Sequence, residues 1–337
     1  MKRLKVGING FGRIGRAFTR IALDRDSMEI GLINTKDSLP QMLAYLLKYD
    51  SIYRTFQKEV THDDNSISVD GKKITVTQVT DPATIPWQDY GVDVVVDATG
   101  AFTTSEQLRK HVRGTVKKVV LTAPSKDEAT PHILLGVNDN EFDFKNSDII
   151  SNCSCTTNCA APLFKVLHDS FTVTSGFLST IHAYTSTQAL LDNLARDEER
   201  SRAAGLNIVP SSTGAAKAVV KAIPSLKGKI DGMSMRVPVP VVSFTDVSAY
   251  VEKEATIEEV NNAFKTAADG FLKGILKYEK EILVSSDYIG SPYSCIFDSN
   301  YTKVIQGNLV KVFGWYDNEW GYSSRLVDLV EKLANFV

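Results

Sequence analysis

The chain has 337 residues, 43% of them hydrophobic and 23% charged, which is ordinary for a soluble globular protein and makes two domains the natural expectation. A net charge of −2 gives no reason to expect nucleic acid or an anionic membrane as the main partner, and no apolar run is long enough to span a bilayer. Four cysteines, three of them between 153 and 159, make no disulfide framework in a chain this long, so a reducing cytoplasm is expected, and residues 1–8 run straight into a glycine motif with no room for a signal peptide.

Leu4, Val6 and Ile8 alternate with polar residues or glycine, as in a short strand, and Gly10-x-Gly12-x-x-Gly15 follows at once. Ile14, Phe18, Ile21 and Ala22 then recur at helical spacing. Strand, glycine turn and helix in that order are the context of a dinucleotide fingerprint. Gly10 makes the tight turn, Gly12 lets the backbone approach a pyrophosphate, Gly15 lets helix and strand pack, and the helix N-terminus offers N–H groups to phosphate. A second strand is read over residues 30–34. Twenty residues past Gly15, where a carboxylate usually takes the adenosine ribose hydroxyl, the chain has Thr35, Lys36 and Asp37. A threonine can donate to a 2′-phosphate and a lysine can neutralise it, so NADP is expected alongside NAD. The competing reading sends Lys36 to solvent and lets Asp37 replace the missing carboxylate. Residues 67–76 read as a hairpin around Asp70-Gly71. Residues 92–97 and 118–122 read as buried strands ending in small residues, which leaves a cofactor crevice at their carboxyl ends, and 148–151 reads as the last strand of this half.

The run Ser151-Asn152-Cys153-Ser154-Cys155-Thr156-Thr157-Asn158-Cys159 carries the densest chemical signal. A thiol among small hydroxyls, ahead of an apolar helical stretch, is a candidate nucleophile, and a helix start near Cys155 favours its thiolate. Pro162 calls for a first-turn position or a kink in that helix. Cys153, Cys159 and Cys295 read as small buried hydrophobes, and with no second cysteine pair or histidine pair no metal is expected. Of the five histidines, His62, His111 and His168 read as surface groups. His182 follows the strand 176–181 and precedes a run of hydroxyls, a site-like position weighed against the commoner structural role of a lone histidine. Ser211-Ser212-Thr213-Gly214 opens a helix at Ala215 and reads as an anion site, an N-cap, or both. Residues 239–250 and 309–315 read as strands and 257–268 as a helix, which gives an antiparallel sheet with helices on one face. A terminal helix over 323–336 sets Leu326, Leu329, Val330 and Leu333 at helical spacing.

Along nearly its whole length the chain resembles phosphorylating glyceraldehyde-3-phosphate dehydrogenases. Six ordered segments carry the resemblance: Gly7 to Arg16, Ser154-Cys155-Thr156-Thr157-Asn158-Cys159, His182-Ala183-Tyr184-Thr185, Ile208 to Lys217, Arg236-Val237-Pro238-Val239-Pro240, and Trp315 to Ser323. The resemblance implies an α/β chain: a Rossmann dinucleotide-binding domain over 1–153 and 321–337, plus an α+β catalytic domain with a largely antiparallel sheet over 154–320. It implies Cys155 as nucleophile and His182 as base and proton shuttle. Arg13 and Ile14 would contact the cofactor pyrophosphate, and Thr122 and Asn318 the nicotinamide end. Substrate phosphate would lie near Thr185, Thr187 and Arg236. The attacking inorganic phosphate would lie near Ser154, Thr156, Thr213 and Gly214, with Arg200 a weaker candidate. A homotetramer acting in glycolysis and gluconeogenesis on glyceraldehyde 3-phosphate is implied as well.

Three departures from the family pattern matter. Thr35 stands where the family usually has aspartate, Asn193-Leu194 where many NAD-specific members have Leu-Pro, and Cys153 where a small non-thiol residue is common. The first two favour NADP, and the third adds an oxidation partner near Cys155. Erythrose 4-phosphate oxidation is the nearest alternative substrate reading, and a non-catalytic cofactor-sensing or RNA-binding role is the alternative of a different class. The segments at His182 and Ser211 favour the triose, and the intact Cys155 and His182 oppose a purely regulatory role.

Overall fold

The computed structural model describes residues 3–36 and 38–337. The chain divides into two compact units. One holds the chain up to Ile133 with Glu141–Cys153 and Ser323–Val337, and the other holds Leu134–Asn140 with Ser154–Tyr322. Leu134–Asn140, read from sequence with the first domain, groups with the second unit because it packs there. A side chain at Gly136, whose φ is +76°, would lie within 2.8 Å of Ile275 and Leu272.

The first unit contains β1 (Leu4–Asn9), α1 (Arg13–Ala22), β2 (Met28–Asn34), α2 (Pro40–Lys48), β3 (Val60–Asp63), β4 (Ser66–Val69), β5 (Lys72–Thr77), β6 (Val94–Asp97), α3 (Ser105–Arg109), β7 (Lys118–Leu121) and β8 (Ile149–Ser151). These strands form one sheet in the order β3-β4-β5-β2-β1-β6-β7-β8. The six from β5 to β8 run parallel. This is the doubly wound order, and chain progression reverses between β1 and β6. β6 is buried at every position, as a central parallel strand covered on both faces must be. Trp87 anchors the apolar cluster with Leu32, Val92, Val95, Leu108, Val119 and Leu121.

Asp70 and Gly71 both have positive φ, 48° and 77°, and make the two-residue turn expected between β4 and β5. The structure adds β3 to this hairpin, so His62 lies exposed on an edge strand and not in a loop. His111 is a larger correction. It is completely buried, with the Trp87 indole N–H donating to its Nδ1 at 3.1 Å and its Nε2 3.2 Å from Asp97. Its charged neighbours along the chain concealed a ring that turns inward.

The second unit contains α4 (Cys155–Phe171), β9 (Val173–Ala183), β10 (Val209–Ser211), α5 (Ala215–Ala222), β11 (Ile230–Val237), β12 (Ser243–Val251), α6 (Ile257–Asp269), β13 (Leu276–Glu279), β14 (Cys295–Asp298), β15 (Lys303–Ile305) and β16 (Leu309–Tyr316). The terminal helix α7 (Trp320–Leu333) starts here, and its buried Leu326, Leu329, Val330 and Leu333 belong to the first unit. The sheet runs β10-β11-β9-β12-β16-β14-β13, with β15 paired to β16. Most pairs are antiparallel, while β11–β9 and β13–β14 are parallel. Along β12, Thr245, Val247 and Ala249 are buried while Phe244, Asp246 and Tyr250 face outward, the period of two that a half-covered sheet imposes.

Three expectations change here. The strand read from 239 begins only at Ser243, because Val242 takes a φ of +68°, a conformation that a ladder excludes. Pro162 lies in the interior of α4, which continues through it, and not in the first turn. His168 is half-buried near the end of α4, where its Nδ1 accepts the N–H of Val173 at 3.2 Å.

Candidate active site

α4 starts at Cys155. Ser154 is its N-cap, with Oγ accepting the Thr157 N–H at 3.1 Å, and the Asn158 N–H reaches the Ser154 carbonyl at 3.0 Å. The thiol therefore occupies the first position of a 17-residue helix, where the dipole favours an anion. Sγ lies 3.4 Å from Nε2 of His182.

His182 sits near the end of β9 and is 5% exposed. The parallel register of β11 against β9 sets Arg236 beside it. Arg236 Nη1 lies 2.7 Å from His182 Nδ1 and donates to the Ala183 carbonyl at 3.1 Å. That carbonyl is also 2.7 Å from Nδ1, so the two tautomers divide these contacts: a hydrogen on Nδ1 donates to the carbonyl and leaves the Nε2 lone pair facing the sulfur, whereas a bare Nδ1 accepts from Arg236 and puts the hydrogen on Nε2. Burial, then the Arg236 charge, hold the imidazole down at about 3, although the Ala183 carbonyl acts to raise it. The ring is thus neutral at neutral pH and able to accept a proton. Burial pushes the Cys155 thiol upward, while Arg236, the N–H and hydroxyl of Thr156 and its own N–H pull it back.

Thr156 is buried, and its hydroxyl lies 2.9 Å from the Tyr316 hydroxyl. The Thr185 and Thr187 hydroxyls pair at 2.8 Å, and the Thr185 N–H reaches Gln188 at 3.3 Å. Arg200 pairs with Asp197 at 2.6 Å, and its charge is felt at Arg236. The Thr213 hydroxyl accepts the Ala215 N–H at 3.1 Å beside Gly214, the N-cap of α5. Cys155, Thr156, His182 and Arg236 are thus joined through direct contacts, whereas the Thr213 hydroxyl turns back on the start of its own helix. Cys153 is buried with a φ of +57°, its N–H on the Ser151 hydroxyl at 3.0 Å.

The first unit carries the glycine turn between β1 and α1. Gly10 has a φ of +94°, and a Cβ there would lie 2.8 Å from the backbone of Ala98 and Thr99. A Cβ on Gly15 would lie 2.2 Å from the Gly10 carbonyl, yet one on Gly12 would meet nothing within 4 Å. Gly12 is also the N-cap of α1 and offers that helix no side-chain cap. The open space at Gly12 and the uncapped helix end fit a pyrophosphate. The Arg13 guanidinium pairs with Asp50, and the Arg13 and Ile14 N–H groups stand at the helix start. Thr35 is half-buried, with its N–H on the Thr77 carbonyl at 2.9 Å, and Lys36 is exposed, while Asp37 lies outside the described residues. Thr122 gives its N–H to the Asp97 carbonyl at 3.1 Å.

At the ends of β1, β2 and β6 a chain of buried side chains runs across the strands. Asn34 donates to Asn9 at 2.8 Å, Asn9 to Asp97 at 2.8 Å, and Asp97 meets His111, which meets Trp87. In the second unit, Ser243 donates to Oδ1 of Asn318 at 3.1 Å, which directs the carboxamide N–H groups away as donors. Ser243 and Tyr316 both escaped sequence reasoning. Tyr316 lies inside a segment that carries the resemblance, but no spacing ties it to Thr156.

Residues 4–105 match the family profile described as glyceraldehyde 3-phosphate dehydrogenase, NAD binding domain, and residues 154–318 match the C-terminal domain of the same family. The chain is 50% identical over 334 residues to the glyceraldehyde-3-phosphate dehydrogenase of Streptomyces coelicolor, covering 98% of this chain and 99% of that protein. Identity to glyceraldehyde-3-phosphate dehydrogenase 1 of Bacillus cereus is 51% over 331 residues, and to the glyceraldehyde-3-phosphate dehydrogenase of Geobacillus stearothermophilus 49% over 332, each covering 98% of both chains. With both domains matched in order and about half of all residues shared along the full length, the chain belongs to the glyceraldehyde-3-phosphate dehydrogenase family.

Proposed function

We propose that the chain catalyses the reversible phosphorylating oxidation of glyceraldehyde 3-phosphate to 1,3-bisphosphoglycerate, the step shared by glycolysis and gluconeogenesis, with NADP or NAD as hydride acceptor. The observation that carries this reading is the 3.4 Å approach of Cys155 Sγ to His182 Nε2 at the start of α4, in a chain of this family. Cys155 attacks the aldehyde carbon, and its proton passes through His182 to the carbonyl oxygen, giving a thiohemiacetal. His182 then takes the hydroxyl proton as the carbon loses hydride, and a thioester remains on Cys155. The bound nicotinamide supplies the hydride acceptor. An oxygen of inorganic phosphate attacks the thioester carbon, the C–S bond breaks, and His182 returns its proton to the sulfur.

Two phosphoryl groups call for two anion sites. Arg236, Thr185 and Thr187 would hold the substrate phosphate. Ser154, Thr156, Thr213 and Gly214 would hold the attacking one, with Arg200 a weaker candidate. Gly10, Gly12, Gly15, Arg13 and Ile14 would hold the pyrophosphate, and Thr122 and Asn318 the nicotinamide end. Thr35 and Lys36 support NADP competence, because a hydroxyl and an ammonium suit a 2′-phosphate where a carboxylate would repel it. The exposed Leu190, Leu191, Leu194, Leu206 and Ile208 support assembly into a homotetramer. The cysteine usage supports a cytoplasmic setting, and no described helix is long and apolar enough to cross a membrane.

Cys155→Ser is expected to abolish triose-phosphate oxidation measured by cofactor reduction, and retained turnover would overturn the reading. For the cofactor, kcat/KM is compared for NADP and NAD in the wild type and in Thr35→Asp. The substitution is expected to lower the NADP value at least about tenfold, which corresponds to about 1.4 kcal/mol. A wild type that strongly prefers NAD, unaffected by the change, would refute the pocket argument.

A further inference from the structure

Tyr316 ends β16, is 1% exposed, and makes a T-shaped contact with the His182 ring at 6.0 Å. Its hydroxyl lies 2.9 Å from the Thr156 hydroxyl and 2.9 Å from the Thr180 hydroxyl. Thr156 follows Cys155 on α4, and Thr180 precedes His182 by two residues on β9. One phenol oxygen therefore bridges the nucleophile's helix and the base's strand.

Counting hydrogens fixes the direction of this chain. The Thr180 hydroxyl donates to the Phe244 carbonyl at 3.1 Å, so it can only accept from Tyr316. Tyr316 gives its single hydrogen to Thr180, so it can only accept from Thr156. While the sulfur is a neutral thiol the Thr156 hydrogen is then held on Tyr316, and the pull of this hydroxyl on the Cys155 titration is exerted on the anion. For Thr156 to donate to an anion at Cys155, it must give up its bond to Tyr316, or all three hydroxyls turn together and Thr180 releases the Phe244 carbonyl. No heavy atom moves, but one neutral hydrogen bond is exchanged for the charged one.

We propose that Tyr316 is a positioning residue that withholds the Thr156 hydrogen from Cys155 until an anion, the thiolate or an incoming phosphate oxygen, draws the hydroxyl chain round. The proposal rests on the assignment of Cys155 as nucleophile. The groups facing that sulfur are His182 on β9, Arg236 on β11, Tyr316 on β16 and Thr156 on its own helix, with Cys159 one turn on and Arg200 acting on Arg236. A Tyr316→Phe variant keeps the ring and all of these groups except the hydroxyl.

The test is the rate of Cys155 alkylation by iodoacetamide against pH, read by mass spectrometry on the intact chain, a measurement that needs no turnover. Without the phenol, Thr156 can donate to the sulfur at no cost to its own hydrogen bonding. The alkylation profile of Tyr316→Phe is therefore expected to move to lower pH by about half a unit or more, a roughly threefold gain below the midpoint. In a Thr156→Val background the same substitution is expected to move nothing, because the hydrogen it would release is gone. An unmoved profile, an upward shift, or a shift that persists undiminished in the Thr156→Val background would each overturn the proposal. Turnover retained by Cys155→Ser would instead sink the catalytic assignment, so the two failures are distinguishable.

Discussion

Arg236 places a fixed cation 2.7 Å from a ring nitrogen whose partner nitrogen must gain and lose a proton. Its charge lowers both members of the thiol–imidazole pair. Removing it raises both, so whichever group sets the acid limb of the coupled titration, that limb moves to higher pH. The prediction for Arg236→Leu is an upward shift of about one unit in the acid limb of kcat/KM, measured with unphosphorylated glyceraldehyde so that lost phosphate binding does not intrude. A limb that stays fixed or moves down would contradict the electrostatic account. The sequence singles out Cys155 and His182 because each stands in telling local company, and the structure brings the two together. Arg236 entered only through the resemblance, since the register that sets it against His182 is a property of paired strands and not of spacing. His111 was misread for a related reason: its partners, Trp87 and Asp97, lie 24 and 14 residues away.

At the scale of elements, the turn between β1 and α1 divides its glycines by what each must avoid. Gly15→Ala sets a methyl 2.2 Å from the Gly10 carbonyl, a backbone atom that cannot step aside. It is expected to lower the melting temperature and to weaken dinucleotide binding at least about tenfold by calorimetry. Gly12→Ala meets no protein atom, so its melting temperature should match the wild type while dinucleotide binding still falls. Equal melting losses in both variants would show that the space at Gly12 is not kept for a ligand. Elsewhere, buried Lys118 donates to the carbonyls of Phe144, Lys145 and Ser147 at 2.8, 3.0 and 3.0 Å. Lys118→Met strands these acceptors and should cost about 3 kcal/mol in denaturant unfolding. The strand–glycine–helix unit was readable because its periodicity and its turn chemistry are both local. β3 was not, since four mostly exposed residues on a sheet edge carry no apolar alternation, and the late start of β12 follows from a backbone angle at Val242 that no composition announces.

For the whole molecule, the apolar side chains exposed between Leu190 and Ile208 are joined by Phe177 and Tyr250 on the outward side of the catalytic sheet. A lone chain rarely shows so much apolar surface, which supports association, and the homotetramer proposed above should give a mass by light scattering near four times the 37.1 kDa chain. A Leu191→Asp, Leu194→Asp double variant should dissociate toward smaller species, and a wild type at the mass of one chain would dismiss the tetramer. The six-strand parallel order was foreseeable as a class, whereas the exposed outer face is visible only once the strands have chosen their sides. Another consequence belongs to the line of side chains from Trp87 through His111, Asp97 and Asn9 to Asn34. Because these five are already locked to one another and three of them end β1, β2 and β6, a dinucleotide held at those strand ends would find its loss of freedom met during folding. Association with the cofactor should then proceed as docking onto a rigid floor, with an on-rate set by diffusion and charge and an affinity that does not hinge on slow rearrangement.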